Sequence, residues 1–311
     1  MHLKLTALLI GLILAVPAYS QTAASTAQPE VPSADPKLQT ALEETLKGLG
    51  LKNVVQEHRL AVSLMDITDP NQPRYAGTND RQMMYAASLP KIAIVLAGFE
   101  AVRDGLLQYT PSVKEMFTRT IRFSSNIDAS KAIKAVGFEY IAKVLTNPVY
   151  RLYDPLLNGG LWIGKAYGGQ VGIAEYWKRD PLANLTHAAT ALQVTRFFWL
   201  MDQGRLVSPE YSAEMKEIFS KPGIHHKFVK GLEALGVREI YRKSGSWEDA
   251  HCDAALVEHN GKRYIAVALM KDQRGGEILP KLIQKLDALV VNRPELSRAA
   301  TSLLSSSPGL D

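Results

Sequence analysis

Apolar residues recur at helical spacing close to both ends of the chain. Leu38, Leu42 and Leu46 fall four positions apart, and Gly50 follows them as a helix stop. Residues 277–291 show the same amphipathic pattern. We therefore predict one helix near each end of the folded chain.

Shorter stretches alternate as strands do. They are 59–67, a returning strand through Tyr75, and then 239–245, 252–259 and 263–270. Asn260 and Gly261 separate the last two and form a strong two-residue hairpin signal. The pattern predicts five strands, two from the first part of the chain and three from the last.

The middle of the chain is mostly helical by pattern. Helices are predicted over 88–103, 130–145, 188–203 and 209–219, and the stretch 147–181, rich in Gly, Pro, Tyr and Trp, is predicted as a long structured loop. This order indicates an α+β fold, in which terminal helices flank a five-stranded antiparallel sheet and a helical lobe is inserted. We expect an α/β lobe from 37–82 and 236–296, a helical lobe over 83–235, and a cleft between them.

The two chain ends have different compositions from the rest. Residues 1–20 combine Lys4, an apolar run and the small residues Ala18 and Ser20, which is typical of a cleaved secretory signal. The run is shorter than the roughly 20 residues that a bilayer requires, so no stable membrane anchor is expected. Residues 21–36 and 297–311 are predicted to be flexible. The sequence thus predicts export, and we expect a periplasmic protein.

Charge and cysteine content remove several function classes. The net charge is +5 with the basic residues scattered, which argues against a nucleic-acid groove. Cys252 is the one cysteine, so no internal disulfide can form. His225, His226 and His251 lack partners at zinc-site spacing, and no nucleotide-binding loop is present. We predict a monomer that needs neither a metal nor another cofactor.

A serine and a lysine lie three residues apart at the start of a predicted helix. Ser88 and Lys91 therefore share one helix face, and Pro90 is tolerated in the first turn, where N–H groups lack helical partners. A serine hydroxyl becomes nucleophilic when a neighbouring base removes its proton, and a buried lysine can act as that base. Ser88 is the candidate nucleophile. The alternative is that Ser88 merely caps the helix.

Two further motifs follow in a fixed order. Ser124 and Asn126 form S-x-N, and Lys243, Ser244 and Gly245 form K-S-G at the end of a predicted strand, with Ser246 next. The trio S-x-x-K, S-x-N and K-[ST]-G resembles the serine β-lactamases and penicillin-binding enzymes, with class A β-lactamases most similar in layout. The resemblance extends over about 36–291, since the order of predicted elements also agrees.

The resemblance implies a role for each motif residue. Ser88 would form an acyl-enzyme, Lys91 would move its proton, and Ser124 would pass a proton to the departing nitrogen. The substrate-binding residues would be Asn126 for an amide side chain, Lys243 and Ser244 for a carboxylate, and Gly245 and Ser246 at the oxyanion site, where the N–H groups of Ser88 and Ser246 would hold the oxyanion.

The sequence departs from the family pattern at two places. Ser125 occupies a position that is usually Asp. In the loop motif E-x-x-L-N, which supplies the carboxylate that activates water, Asp154 stands for the Glu and Asn158 for the final Asn. Asp is one methylene shorter, and its alternative role is to start a turn. Glu175 and Asp180 remain competing carboxylates.

The resemblance leaves the substrate open. The first hypothesis is a hydrolase that opens β-lactams through an acyl-enzyme at Ser88. A D-alanyl-D-alanine peptidase or an esterase could use the same residues on a cell-wall peptide or an ester, because fold and motifs are shared across these activities. A sensor that acylates and does not turn over is the third alternative.

Overall fold

The computed structural model describes residues 31–168, 172 and 175–292. In chain order the helices are α1 (Pro36–Gly48), α2 (Lys52–Gln56), α3 (Lys91–Arg103), α4 (Pro111–Arg122), α5 (Asn126–Val136), α6 (Phe138–Thr146), α7 (Ala191–Asp202), α8 (Pro209–Phe219), α9 (Phe228–Glu233) and α10 (Gly275–Val291). The strands are β1 (Leu60–Asp66), β2 (Arg74–Thr78), β3 (Met84–Tyr85), β4 (Tyr153–Asp154), β5 (Gly159–Gly160), β6 (Trp162–Ile163), β7 (His187–Ala189), β8 (Glu239–Trp247), β9 (Ala250–His259) and β10 (Lys262–Lys271). A 3-10 helix covers Pro155–Leu157.

Five antiparallel strands form the main sheet, in the spatial order β2-β1-β10-β9-β8. Asn260 and Gly261, with φ of 49° and 72°, make the tight turn between β9 and β10. Two residues with positive φ are what a hairpin of this length requires. The predicted α+β fold with a five-stranded antiparallel sheet is confirmed, and β8 lies at an edge of the sheet.

Helices cover both faces of this sheet, and β10 shows why. Ile265, Val267 and Leu269 face one apolar cluster, which includes α7, while Tyr264 and Ala266 face the other, which includes α1, α9 and α10. Side chains alternate along a strand, so a strand buried on both faces is apolar throughout. Each fully buried large aliphatic side chain contributes about 1.5–3 kcal/mol to stability.

The helical middle differs from the prediction at three points. The single helix predicted over 130–145 is two helices, α5 and α6, because Gly137 between them has a φ of 90°. The helix predicted over 188–203 is preceded by strand β7. No helix was predicted at α4, although Thr110 caps it and Pro111 begins it.

The predicted long loop over 147–181 contains short strands that fix its position. Strand β6 pairs with β7, and β7 pairs with β3. The Ala86 N–H then donates to the His187 carbonyl at 2.8 Å. This second sheet holds the end of β3 immediately before Ser88.

The chain before α1 is tied to the main sheet. Ala34 pairs with Tyr75, and Asp35 caps α1 while its carboxylate binds Arg74. The predicted signal (1–20), residues 21–30 of the predicted flexible segment and the predicted tail (297–311) lie outside the described residues. Within the described residues, no helix has the length and apolar character needed to span a bilayer.

Candidate active site

Ser88 lies in a tight turn directly before α3. The Leu89 N–H donates to the Ala86 carbonyl at 3.0 Å, and the Lys91 N–H donates to the Ser88 carbonyl at 3.3 Å. The helix predicted from residue 88 begins at Lys91 instead, with Pro90 as its N-cap at a φ of −64°. Ser88 is partly exposed and Lys91 is fully buried, so the serine reaches the protein surface while the amine lies inside the protein.

The Lys91 amine contacts the S-x-N motif. Nζ donates to the Ser124 carbonyl at 2.6 Å and to Asn126 Oδ1 at 2.7 Å, and it lies 3.5 Å from Ser124 Oγ. Burial lowers the pKa of Lys91 to about 7. A lysine with such a pKa is neutral in a substantial fraction of molecules at pH 7 and can accept a proton.

The S-x-N motif owes its shape to the start of α5. Ser124 has a φ of 55°, and Asn126 is the first residue of the helix. The Ser125 hydroxyl is the N-cap and accepts the Asp128 N–H at 3.2 Å. Ser125, where the family usually has Asp, thus fixes the helix start between the two motif side chains.

Lys243 reaches the same hydroxyl from β8. Its Nζ donates to Ser124 Oγ at 2.9 Å and to the Ser244 carbonyl at 2.5 Å. Burial, with the positive charge of Lys91 as the second cause, lowers the pKa of Lys243 well below its usual value. The Ser124 hydroxyl therefore bridges two buried lysines.

Strand β8 passes directly beside the Ser88 turn. A Cβ built on Gly245 would lie 2.2 Å from the Ala86 carbonyl oxygen and 2.9 Å from the Ser88 nitrogen, so only glycine fits there. Among the described residues, no group accepts the Ser88 N–H. Ser246, the next residue of β8, is exposed.

Two residues that the motifs did not reveal also line this region. The Tyr167 ring lies 4.4 Å from Lys91 Nζ, and its hydroxyl donates to the Ala87 carbonyl at 3.2 Å. Lys227 Nζ donates to the Gly245 carbonyl at 2.5 Å, to Ser246 Oγ at 2.7 Å and to the Cys252 carbonyl at 3.2 Å. Neither Tyr167 nor Lys227 belongs to one of the three sequence motifs.

The structure does not bring Asp154 to Lys91 or Ser88. Its Oδ2 accepts from Arg151 Nη2 at 2.7 Å and Nε at 2.9 Å, and its Oδ1 accepts the Leu156 N–H at 2.9 Å. Burial raises the pKa of Asp154, but the contacts with Arg151 and Leu156 together lower it below its usual value, so the group is a carboxylate. Asp154 caps the 3-10 helix, which is the turn-starting alternative considered above.

Asn158 and the two competing carboxylates also have other positions. Asn158 is exposed and ends the 3-10 helix with a φ of 62°. The buried Asp180 carboxylate accepts the N–H groups of Leu182, Ala183 and Leu185 at 2.6–3.1 Å. Glu175 pairs with Lys165 at 2.9 Å. Within the described part of the chain, no carboxylate oxygen contacts Lys91 or Ser124.

The family model described as "Beta-lactamase enzyme family" matches residues 110–293, more than half of the chain. The chain belongs to the beta-lactamase enzyme family. The matched region contains Ser124, Asn126 and Lys243, whereas Ser88 and Lys91 precede it. A comparison with curated proteins found no match.

Solved structures of other proteins have folds similar to that of this family member. PBP-A, in a mutant form captured as an acyl-enzyme with penicillin G, shares 18% identity and a TM-score of 0.61, covering 82% of this chain and 97% of PBP-A. A β-lactamase from Sphaerobacter thermophilus shares 15% identity and a TM-score of 0.59, with 80% and 99% covered. A class A β-lactamase from Bacteroides cellulosilyticus shares 16% identity and a TM-score of 0.59, with 82% and 99% covered. At these identities the likeness establishes the fold.

The site of this beta-lactamase family member is rich in buried basic side chains. Lys91, Lys227, Lys243 and Arg242 are all buried. The neighbouring counter-charge is Asp253, which Arg242 binds through Nε at 2.6 Å and Nη2 at 2.7 Å. Burial lowers the pKa of all three lysines, and a bound anion would favour their charged forms.

Arg274, which follows the last strand, and the histidines considered as metal ligands lie in ordinary structural surroundings. Arg274 is exposed and lies 3.5 Å from Asp272. His225 pairs with Glu233, and His226 contacts Arg242. Among the described residues, no three His, Cys, Asp or Glu side chains are grouped so that they could hold a metal ion.

Proposed function

We propose that this chain is an exported serine hydrolase that opens β-lactams by acylation of Ser88. The observation that carries the proposal is the convergence of Lys91 and Lys243 on the Ser124 hydroxyl, beside the accessible turn that holds Ser88. Acyl transfer to serine requires a base that activates the hydroxyl, and Lys91 is the base in this proposal.

The proposed reaction uses each of these groups once. Ser88 Oγ attacks the lactam carbonyl carbon while neutral Lys91 takes the hydroxyl proton. The C–O bond forms, the lactam C–N bond breaks, and the nitrogen receives a proton through the Ser124 hydroxyl, which lies within 3.5 Å of Lys91 and 2.9 Å of Lys243. The product is an ester on Ser88 with the ring opened.

The oxyanion is assigned to two backbone donors. The Ser88 N–H has no acceptor among the described residues, and the adjoining strand at Gly245 lies against it. With the Ser246 N–H as its partner, this group would stabilise the developing negative charge; one donor of this kind typically contributes about 3–4 kcal/mol. Asn126, Lys243 and Ser244 are proposed to bind the amide and the carboxylate of the substrate.

Release of the acyl group is proposed to be slow. Water must be activated to cleave the ester, and the three carboxylates considered for that task, Asp154, Asp180 and Glu175, are each bound to other groups. This favours an acyl-enzyme with a long life and keeps the sensor hypothesis as the second candidate. In both cases the first step is the same.

The test is the intact-protein mass after the mature protein is mixed with benzylpenicillin. We expect one equivalent to be added to the wild type, no addition to Ser88→Ala, and a normal addition to Ser112→Ala, which removes an exposed hydroxyl from α4. Labelling that persists in Ser88→Ala contradicts the proposal. A wild type that stays unlabelled and instead cleaves a D-alanyl-D-alanine peptide favours the peptidase.

A further inference from the structure

All three N–H bonds of Lys227 are directed at oxygen atoms of β8 and β9. The acceptors are the Gly245 carbonyl, Ser246 Oγ and the Cys252 carbonyl. A lysine ammonium has three donors, so this set is complete. Lys227 is only 2% exposed. Burial lowers the pKa of Lys227, whereas the nearby Asp253 charge raises it, and the three acceptors hold the amine in a fixed position against one end of β8.

The contact with Gly245 acts on a particular peptide. The Gly245 carbonyl and the Ser246 N–H belong to the same amide, and a trans amide directs these two groups in opposite directions. Lys227 joins the Gly245 carbonyl to a carbonyl of β9, so this carbonyl faces β9. The Ser246 N–H consequently points away from β9, toward the open edge of the sheet.

The Ser88 turn lies against β8 at Gly245, the residue directly before Ser246. Gly245 contacts the Ser88 backbone nitrogen so closely that no side chain fits between them. Lys227 thus contacts the carbonyl of the same peptide whose N–H group, that of Ser246, is assigned to the oxyanion. A cation at one end of an amide draws electron density toward the carbonyl oxygen and makes the N–H at the other end a stronger donor.

We propose that Lys227 is a positioning residue that orients and polarises the Gly245–Ser246 peptide, so that the Ser246 N–H is a stronger oxyanion donor. The proposal rests on the acylation of Ser88 proposed above. In this proposal Lys227 acts on the oxyanion site through the Gly245–Ser246 peptide and does not contact the substrate.

An alternative role for Lys227 is direct binding of the substrate carboxylate. Two observations oppose it: the ammonium is buried, and each of its three donors already has a protein acceptor. A carboxylate could bind only by displacing one of these contacts. The two roles differ in the step that they affect, because an anchor changes substrate binding and a polarised donor changes the acylation step.

The experiment compares Lys227→Met, Lys227→Gln and the control Lys230→Met, which removes an exposed lysine three residues later on α9. Rapid mixing with benzylpenicillin gives the acylation rate and the apparent dissociation constant. Infrared spectroscopy of the acyl-enzyme gives the stretching frequency of the Ser88 ester carbonyl, which falls as hydrogen bonds to it strengthen. Thermal melting establishes that each variant is folded.

We expect Lys227→Met to acylate about tenfold more slowly, since loss of a whole oxyanion donor costs roughly 100- to 1,000-fold and here the donor stays but is weakened. The ester carbonyl should absorb at higher frequency. Lys227→Gln, which keeps a donor without the charge, should lie between Met and the wild type, and Lys230→Met should match the wild type.

Unchanged acylation and an unchanged carbonyl frequency in both variants would overturn the proposal. Weaker binding with an unchanged frequency would overturn it in favour of a carboxylate anchor, and slower acylation with an unchanged frequency would leave Lys227 a packing role only. If Lys227→Met does not fold, Lys227→Gln decides alone. Failure of the proposed function is recognised separately, because the wild type itself would then form no adduct.

Discussion

At the residue scale, the most consequential feature is that the Lys91 amine loses its proton near neutral pH. Burial alone lowers its pKa to about 7, and no carboxylate contacts the amine within the described residues. A base of this kind acts only after it has lost its proton. In the proposed mechanism, the pKa of Lys91 therefore sets the pH range in which Ser88 is acylated.

We predict that the acylation rate of Ser88 rises with pH and levels off above an apparent pKa near 7. The sign follows from the lowered pKa: below pH 7 Lys91 is protonated and cannot act as a base, and above it the neutral amine predominates. Because Lys243 shares the Ser124 hydroxyl, the measured value belongs to the coupled pair. The measurement is the second-order rate constant for benzylpenicillin from pH 5 to 9.

Lys91→Arg provides the control for this profile. A guanidinium stays protonated at every pH in this range, so acylation should be lost throughout. A wild-type profile that is flat, or that rises only above pH 9, would rule out Lys91 as the base.

Asp154 allows a second prediction at this scale. Because its carboxylate is bound to Arg151 and the Leu156 N–H, Asp154→Asn should leave the lifetime of the acyl-enzyme within about twofold. The loss of a partly exposed ion pair should lower stability by about 0.2–1 kcal/mol. Adduct decay followed by mass spectrometry tests the first expectation, and chemical denaturation tests the second.

Asp180→Asn is the matched comparison. This buried carboxylate accepts three backbone N–H groups, so the same chemical change should cost about 1–3 kcal/mol of stability. A much longer adduct lifetime in Asp154→Asn would show that Asp154 activates water after all, through a rearrangement absent from this structure.

The sequence could predict part of this site and not the rest. Motif spacing pointed to Lys91, Ser124, Asn126 and Lys243. Lys91 lies within hydrogen-bonding distance of Ser124 and Asn126, and Lys243 lies within that distance of Ser124. Their chemical roles remain predictions. Lys227 was not predictable, because it reaches Gly245 from a separate helix start and belongs to no motif.

At the scale of elements, the close passage of β8 beside the Ser88 turn makes Gly245 a sensitive position. We predict that Gly245→Ala slows acylation by at least about tenfold, since the added methyl would overlap the Ala86 carbonyl and push the strand away from Ser88. Misplacement by about 1 Å can cost roughly 100-fold in rate. The acylation rate and the melting temperature are measured together.

Gly48→Ala is the control for this substitution. Gly48 is the last residue of α1, and a Cβ there meets no atom within 4 Å. It should acylate as the wild type does and be as stable or slightly more stable. If Gly245→Ala is folded and acylates normally, β8 does not form one wall of the site.

Some boundaries of helices and strands could not be predicted from the local pattern of apolar and polar residues. The strands and the terminal helices were predictable because each has one dominant period and clear turn residues, such as Asn260 and Gly261. The helix predicted over 130–145 has a continuous apolar pattern across Gly137, so its division into α5 and α6 rests on one backbone angle. Strand β7 was missed because it is three residues long and depends on pairing with β3 and β6.

At the scale of the whole molecule, the sheet joins distant parts of the chain. Strand β1 pairs with β10, which lies about two hundred residues later in the chain. This pairing brings β8, with the K-S-G motif, into the same folded unit as the turn with the S-x-x-K motif. The order of elements predicted this arrangement, because strands from both ends of the chain had to complete one antiparallel sheet. The division into an α/β lobe and a helical lobe remains a prediction.

The charge distribution of the molecule predicts a preference for substrates with a free carboxylate. Lys91, Lys227, Lys243 and Arg242 meet around one region, and Asp253 lies beside them as the counter-charge. Such a region should favour a substrate that carries a carboxylate. We predict that benzylpenicillin acylates Ser88 about 10- to 100-fold faster than its methyl ester, since hydrogen bonds to a charged group contribute about 1.5–3 kcal/mol.

Lys243→Met distinguishes binding of the carboxylate by Lys243 from the electrostatic effect of the whole basic cluster. Lys243 is the cation assigned to the carboxylate, so its loss should slow the acid and leave the ester much less affected, which brings the two rates together. Added salt should change the ratio little, because buried charges are screened much less than exposed ones. Equal rates for acid and ester in the wild type would mean that the buried cations serve the protein's own carbonyls and hydroxyls, as Lys227 does, and that substrate recognition depends on the amide side chain instead.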